Sequence, residues 1–332
     1  MKILNVVDPH IRVEMPQVES RTDDYDKTIA NKMNQIAKIA RKHEVDIISF
    51  TGDVFDKKYP STYSFKAITG NMRVIQKLKE DSGVKEIISI AGNHDLPFSA
   101  YENVNKSYYG MVSNQLGIFS DISYNTIQLG ETATVSGIPF QSDPNKMFSY
   151  LEELNKRLNP DDNNMVILHE HFLPFSKEPG DLQYTHFFRY EDLLKYDNIH
   201  VFALGHLHRG FPPAMNELPN GRMQHYCNSW SLYRLARNYY VMNDEHIPAV
   251  DIINLGEEIN ITSVPLSVEP MSTVFKPKIL EREISMHKEL DNFVESLKSG
   301  VNTIDINESM NVPLQIKDTI QRYMDIVSTK SN

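Results

Sequence analysis

The chain has 332 residues, 40% of them apolar and 23% charged, with a formal net charge of −10. That length is ample for a large core and predicts one big domain with an appendage, or two domains. The acidic balance excludes a plain electrostatic nucleic-acid binder, and the single cysteine, Cys227, excludes an intramolecular disulfide framework and thiolate-rich zinc sites.

Ile3 to Val7 reads as a first strand that stops at Asp8-Pro9-His10, because Pro9 cannot continue a central ladder. A polar loop runs to Asp24. A helix is expected over Tyr25–His43, with Ile29, Met33, Ile36, Ala37 and Ala40 at helical spacing. Val45–Phe50 reads as the second strand and runs into Thr51-Gly52-Asp53-Val54-Phe55-Asp56. After the turn Pro60-Ser61-Thr62 a second amphipathic helix carries Phe65, Ile68, Met72, Ile75 and Leu78. Ile87–Ala91 is a third, buried strand that turns sharply at Gly92 into Asn93-His94-Asp95. This strand–helix rhythm predicts βαβ units and a sheet with helices outside.

Further on, a helix is expected around Glu102–Val112, one or two strands between Asn125 and Ile138, and a helix near Lys146–Leu158. Met165–Leu168 reads as a buried strand ending at His169-Glu170-His171, and Ile199–Leu204 as another ending at Gly205-His206-Leu207-His208. From Met223 to Val264 short strands alternate with turn residues, the pattern of hairpins in a second sheet. Pro265, Pro270 and Pro277 mark a linker. A helix near Glu281–Leu297, a strand at Val301–Ile306 and a terminal helix at Val312–Val327 follow. The domain reading is 1–255 for the main domain, 256–306 for a small accessory or cap region, and 307–332 for a terminal helix. A lone helix of that length is marginal in water and must pack on something.

The strand ends collect Asp8, His10, Asp53, Asn93, His94, His169, His206 and His208. These are carboxylates, imidazoles and one amide, the donors that suit Mn²⁺, Fe²⁺, Zn²⁺ or Mg²⁺. They are too many for one tetrahedral zinc and suit two octahedral ions that share a bridging carboxylate. Two such ions would clamp the attacking and leaving oxygens of a displacement at phosphorus. Taken singly, Asp8-x-His10 or Gly52-Asp53 is a common surface feature. His206-x-His208 is stronger, because alternate residues of an extended chain point the same way. His169 is preferred to its rival His171 because it abuts the apolar strand. His43, His186, His200, His225, His246 and His287 lack this context.

The ordered series D-x-H, G-D-x-x-D, G-N-H-D, a lone H after a strand, and G-H-x-H resembles the signature of the calcineurin-like metallophosphoesterase superfamily, over roughly residues 1–210. Within it the chain most resembles the SbcD-type DNA repair nuclease subunits. The pointers are Gly52-Asp53-Val54-Phe55-Asp56 with Pro60-Ser61 following, and Tyr226-Cys227-Asn228-Ser229-Trp230-Ser231, which resembles a loop near that family's active site. The resemblance implies a four-layer α-β-β-α sandwich with a small C-terminal cap or tail. It implies that Asp8, His10 and His208 hold one metal, that Asp53 bridges, and that Asn93, His169 and His206 hold the second. His94 would contact the scissile phosphate and help protonate the leaving oxygen, Asp56 would orient His94, and Asp95 would brace the loop. Two Mn²⁺ ions, DNA as substrate, a homodimer and an SbcC-type coiled-coil ATPase docked through the C-terminal helix are further implications. The lone cysteine, an apolar N-terminal run too short for a signal peptide and the lack of a membrane-length apolar stretch lead separately to the expectation of a soluble protein of the bacterial or phage-infected cytoplasm. Pro9 departs from the family's small hydroxyl residue, Cys227-Asn228 replaces Pro-Gly, and the tail after residue 255 is short.

A DNA nuclease is thus the first expectation, with Arg12, Arg21, Lys57, Lys58, Arg209, Arg234 and Arg237 as a local basic rim. A phosphoesterase of the same fold acting on small or protein-bound phosphates is the second. A non-catalytic scaffold is disfavoured because no ligand position is missing.

Overall fold

A computed structural model describes residues 1–13, 21–175, 187–233 and 246–275. The chain divides into a large unit of residues 1–19 and 23–270 and a second unit of residues 20–22 with 271–332. In the second unit Arg21 bridges Phe275 in antiparallel fashion, and the Thr22 amide donates to the Val274 carbonyl at 2.8 Å.

The large unit opens with β1 (Lys2–Val6), α1 (Tyr25–Lys42), β2 (Ile47–Phe50), α2 (Phe65–Ser82), β3 (Glu86–Ser89) and β4 (Ser120–Asp121). There follow β5 (Thr126–Gln128), β6 (Ala133–Ile138), α3 (Pro144–Arg157), β7 (Asn163–His169), and the short pair β8 (Phe172–Leu173) and β9 (Phe188–Arg189). It closes with β10 (Val201–Gly205), β11 (Phe211–Glu217), β12 (Met223–Asn228), β13 (Ala249–Leu255) and β14 (Ile259–Pro265). Both long helices are capped as their sequences predict. The side chain of Asp24 accepts from the Lys27 amide, that of Ser64 from the Ala67 amide, and Gly83 ends α2 in the left-handed region.

Two six-stranded sheets result, in the orders β14-β13-β1-β2-β3-β4 and β11-β12-β10-β7-β6-β5. Their centres are parallel: β1, β2 and β3 in the first, and β6, β7, β10 and β12 in the second. Alternation along each strand sorts the side chains into layers. Ile3, Ile47 and Ile88 face Met165, Ile167, Val201 and Ala203 across the gap between the sheets. Their neighbours Leu4, Ile48 and Ile87 face Ile29, Met33, Ile36, Ile75 and Leu78 of α1 and α2. On the far side Val166, Leu168, Phe202 and Leu204 pack on Met147, Leu151 and Leu154 of α3. The layers are therefore helix, sheet, sheet, helix, the expected sandwich. Among the described residues no helix is long and apolar enough to cross a membrane.

Some expectations need correction. The helix read at Glu102–Val112 is broken into a 3₁₀ segment Tyr101–Lys106, a turn Tyr108–Gly110 and a π-type turn Met111–Gln115. Ser107 interrupts it in extended conformation, its hydroxyl accepting from the Gly110 amide at 2.9 Å. The strands read between Met223 and Val264 do not share one sheet: β12 joins the second, while the hairpin β13–β14 extends the first alongside β1. Leu255 pairs with Ile259 in that hairpin, so the boundary expected after residue 255 falls inside the sheet. The helix expected over 281–297, the strand over 301–306 and the terminal helix lie outside the described residues.

Candidate metal centre

The carboxyl ends of five parallel strands meet at one rim. Asp8 and His10 follow β1, Asp53 follows β2, Asn93 and His94 follow β3, His169 ends β7, and His206 and His208 follow β10. The backbone there is held against its preferences: φ is 43° at Asp8, 40° at His10, 48° at Asp53 and 78° at His206. Left-handed conformations at residues with side chains cost free energy and gather where function requires an unusual direction. Two glycines let the loops approach. A Cβ on Gly92 would lie 2.2 Å from the Asp53 Oδ1, and one on Gly52, at φ +95°, would lie 2.5 Å from the His169 Nδ1.

Asp53 sits at the centre, 1% exposed. Its Oδ2 lies 3.6 Å from the His10 Nε2 and its Oδ1 lies 3.5 Å from the His169 Nε2. Around it His10, Asp53 and His208 form one cluster of possible ligand atoms, and Asp53, His169 and His206 form a second, each with its atoms within 4.8 Å of one another. Asn93 joins the second, its Oδ1 3.2 Å from the His169 Nε2. Asp8 lies between them, 3.8 Å from the His208 Nε2 and 3.7 Å from the His169 Nδ1, and both its oxygens accept from the His206 amide at 3.1 Å. The seven residues expected as ligands are therefore brought together, and His94 lies beside them.

The donor set fits two divalent cations. The Nδ1 of His169 is 2.6 Å from the Thr51 carbonyl oxygen, which fixes the tautomer and turns a lone pair on Nε2 toward Asp53. The Nε2 atoms of His10 and His208 face each other at 3.1 Å, a contact that one proton or one cation must mediate. Burial lowers His10 and His206 well below the usual imidazole range and His208 to about 4, so each ring is neutral near neutrality and keeps one nitrogen lone pair for a cation. Burial would lower His169 as well, but the carboxylates of Asp53 and Asp8 overcome it and carry it up to about 9. Asp53 is pushed up by burial, and its imidazole neighbours, His169 foremost, pull it well below the usual carboxylate range.

His94 is half-buried beside this cluster. Its amide donates to the Asp53 Oδ1 at 2.8 Å, and its ring meets His10 edge-on at 5.0 Å. The expectation that the Asp56 carboxylate orients this imidazole is corrected. The His94 Nδ1 reaches the Asp56 main-chain carbonyl at 3.3 Å, while the Asp56 carboxylate pairs with Arg12 at 3.0 Å. The Arg12 guanidinium, permanently charged, makes a charge-assisted hydrogen bond to that carboxylate and holds it away from the imidazole. Asp95 is a brace. It is 1% exposed and accepts from the amides of Gly92 at 2.9 Å, Val54 at 3.1 Å and Phe55 at 3.2 Å, tying the Asp53 loop to the Gly92 turn.

His171, weighed against His169 in the sequence, does not share its position: it stacks on the His206 ring at 3.7 Å and belongs to a third cluster with Glu170 and His206. Phe140 packs edge-on against His206 at 5.3 Å, and nothing in its local sequence marks it. The 226–233 stretch passes beneath the site. There the Asn228 side chain donates to the Leu207 carbonyl, the Ser231 amide to the His208 carbonyl, and the Leu232 amide to the Val7 carbonyl. Of the basic rim, Arg12 is spent on Asp56, and Lys57 lies 3.7 Å from the same carboxylate. Arg234 and Arg237 lie outside the described residues.

Comparison with known proteins agrees with this geometry. The model of the calcineurin-like phosphoesterase family matches residues 1–210. The chain is 29% identical over 210 residues to the DNA double-strand break repair protein Mre11 of Sulfurisphaera tokodaii, covering 62% of this chain and 49% of that one. It is 23% identical over 314 residues to the Mre11 of Saccharolobus solfataricus, covering 91% and 73%, and 24% identical over 223 residues to that of Methanococcus maripaludis, covering 65% and 54%. It thus spans about half the length of two of these relatives. Among solved structures a dimetal phosphatase from Danio rerio shares the fold, with a TM-score of 0.50 at 12% identity over 83% of this chain and 99% of that one. With the family model matching well over half of its length, the chain belongs to the calcineurin-like phosphoesterases.

Proposed function

We propose that this protein is a two-metal DNA nuclease that hydrolyses phosphodiester bonds at duplex ends. The single observation that carries the reading is the placement of Asp53, with one carboxylate oxygen toward His10 and the other toward His169. One cation would be held by Asp8, His10, Asp53 and His208, and the other by Asp53, Asn93, His169 and His206. When bound, two such cations supply an acidified water and neutralise charge on a phosphate. Manganese suits this mixed nitrogen and oxygen set. His94 lies beside these ligands and would meet a substrate phosphate there; with Nδ1–H on the Asp56 carbonyl, the protonated ring would give its second proton, from Nε2, to the departing oxygen. Arg12 holds Asp56, and so holds the carbonyl that aims His94. DNA is favoured over other phosphodiesters by the three Mre11 relatives. An SbcC-type coiled-coil ATPase partner and a homodimer, which the resemblance of the sequence implies, complete the proposed working assembly.

The test is purified protein, its metal content measured, incubated with labelled linear duplex and Mn²⁺. Cleavage should occur and should fall by at least about 10²-fold in His94→Asn, the range for a lost proton donor. Protein that carries two metals and hydrolyses a small chromogenic diester but leaves duplex and single-stranded DNA whole would refute the nuclease reading.

A further inference from the structure

The chain leaving the Gly92 turn holds an aromatic ring in water at a cost. Phe98 is 79% exposed. It and Ser99 both lie in the left-handed region, with φ of 56° and 54°. A bulky residue at positive φ is an outlier even singly, and here two follow each other without a glycine. The surroundings force the geometry. Leu96 and Pro97 are buried on one side, the Ser99 amide donates to the Leu96 carbonyl at 3.2 Å, and the Ala100 amide to the Pro97 carbonyl at 3.3 Å. That tight turn lifts Phe98 out while its neighbours stay in. Free energy is thus lost twice, in backbone strain and in a solvated ring. Tyr59, 37% exposed, and Phe65, 82% exposed at the start of α2, also follow a site loop, but neither is held in the left-handed region as Phe98 is.

We propose that Phe98 is a base-stacking residue, receiving an unpaired nucleobase within about four nucleotides of the scissile phosphate. This deepens the nuclease reading and rests on it. Phe98 lies four residues beyond His94, at most about 14 Å along extended chain. That equals about four stacked base steps of 3.4 Å along one strand. An aromatic face accepts any base, so the contact favours frayed or single-stranded ends without reading sequence. It also suits an acidic protein, because stacking needs no added positive charge. The strained turn fixes the ring's direction, as a stacking platform requires.

The test is an abasic scan. Single-stranded oligonucleotides carrying one abasic residue at each position in turn are cleaved by wild type and by Phe98→Ala under the same Mn²⁺ conditions. For wild type, one abasic position within four nucleotides of the cut should raise KM about tenfold, the scale of losing one base–aromatic stack. For Phe98→Ala, KM on intact DNA should rise by a similar factor and the abasic position should have no further effect, with Phe98→Tyr restoring the wild-type pattern. A separate readout concerns the strain: Phe98→Gly should melt higher than wild type while cleaving poorly. Wild type that cuts DNA but shows the same abasic dependence as Phe98→Ala overturns the stacking assignment and leaves the nuclease reading standing. Metal-loaded wild type that cuts no DNA overturns both.

Discussion

Removing the carboxylate of Asp95 tests whether the site loops are held as described. Three buried amides, on Gly92, Val54 and Phe55, donate to it at 2.9 to 3.2 Å, and Asp95 is 1% exposed, so water does not replace it. Each orphaned buried donor costs about 1–3 kcal/mol. With partial relaxation, Asp95→Ala should lose about 3–5 kcal/mol, and Asp95→Asn, which keeps one acceptor oxygen, about half of that. For a chain of this size such a loss lowers the melting midpoint by roughly 5–10 °C. The assay is thermal unfolding in chelator, so that loss of metal does not enter, followed by Mn²⁺ titration of the folded variants. Because two of the three amides follow Asp53 directly, cation affinity should fall as well. An Asp95→Ala protein that melts within 1 °C of wild type, a margin far below the roughly 5 °C expected, would refute the bracing role.

Gly92→Ala should act on the same loop by overcrowding, since its Cβ would lie 2.2 Å from the Asp53 Oδ1; we expect about 1–3 kcal/mol of lost stability and weakened metal binding, checked by unfolding and by metal content. Cation binding should release on the order of one proton per chain at pH 7.5, because His169 is carried up to about 9 in the metal-free protein and must give up that proton to become a ligand. Calorimetry in two buffers of different ionisation heat reads this, and buffer-independent heats would contradict it. His200 lies away from the site and accepts from the Asn164 amide at 3.2 Å, and burial, then Arg222, lowers it from 6.5 to about 4. Between those values the unfolded chain binds more protons than the folded one, so stability is full above pH 6.5 and is lost as pH falls toward about 4. His200→Gln should flatten that acid limb, and an unchanged slope would contradict the assignment.

Strands β1, β2, β3, β7 and β10 were legible because parallel strands buried on both faces read as unbroken apolar runs. The residues just beyond each run are the ones now gathered at the rim. What stayed illegible depends on contacts distant in sequence. Nothing local tells that β13 pairs with β1 rather than with β12, since hairpin patterning is the same in either sheet. Strand β11 was missed because Pro212 and Pro213 argue against a strand; it survives as an edge strand with a register shift between Phe211 and Ala214. The resemblance implies the role of Asp56, and a motif carries no information about Arg12, 44 residues away, which takes its carboxylate. The bracing role of Asp95, also implied by the resemblance, has its physical basis in the amides of Gly92, Val54 and Phe55, two of them about 40 residues away.

The most direct measurement is an anomalous difference map from crystals of the full chain grown with Mn²⁺. The account predicts two peaks on either side of the Asp53 carboxylate, one near His10 and His208 and the other near His169 and His206. A single peak, or none, in protein that retains the fold would contradict it.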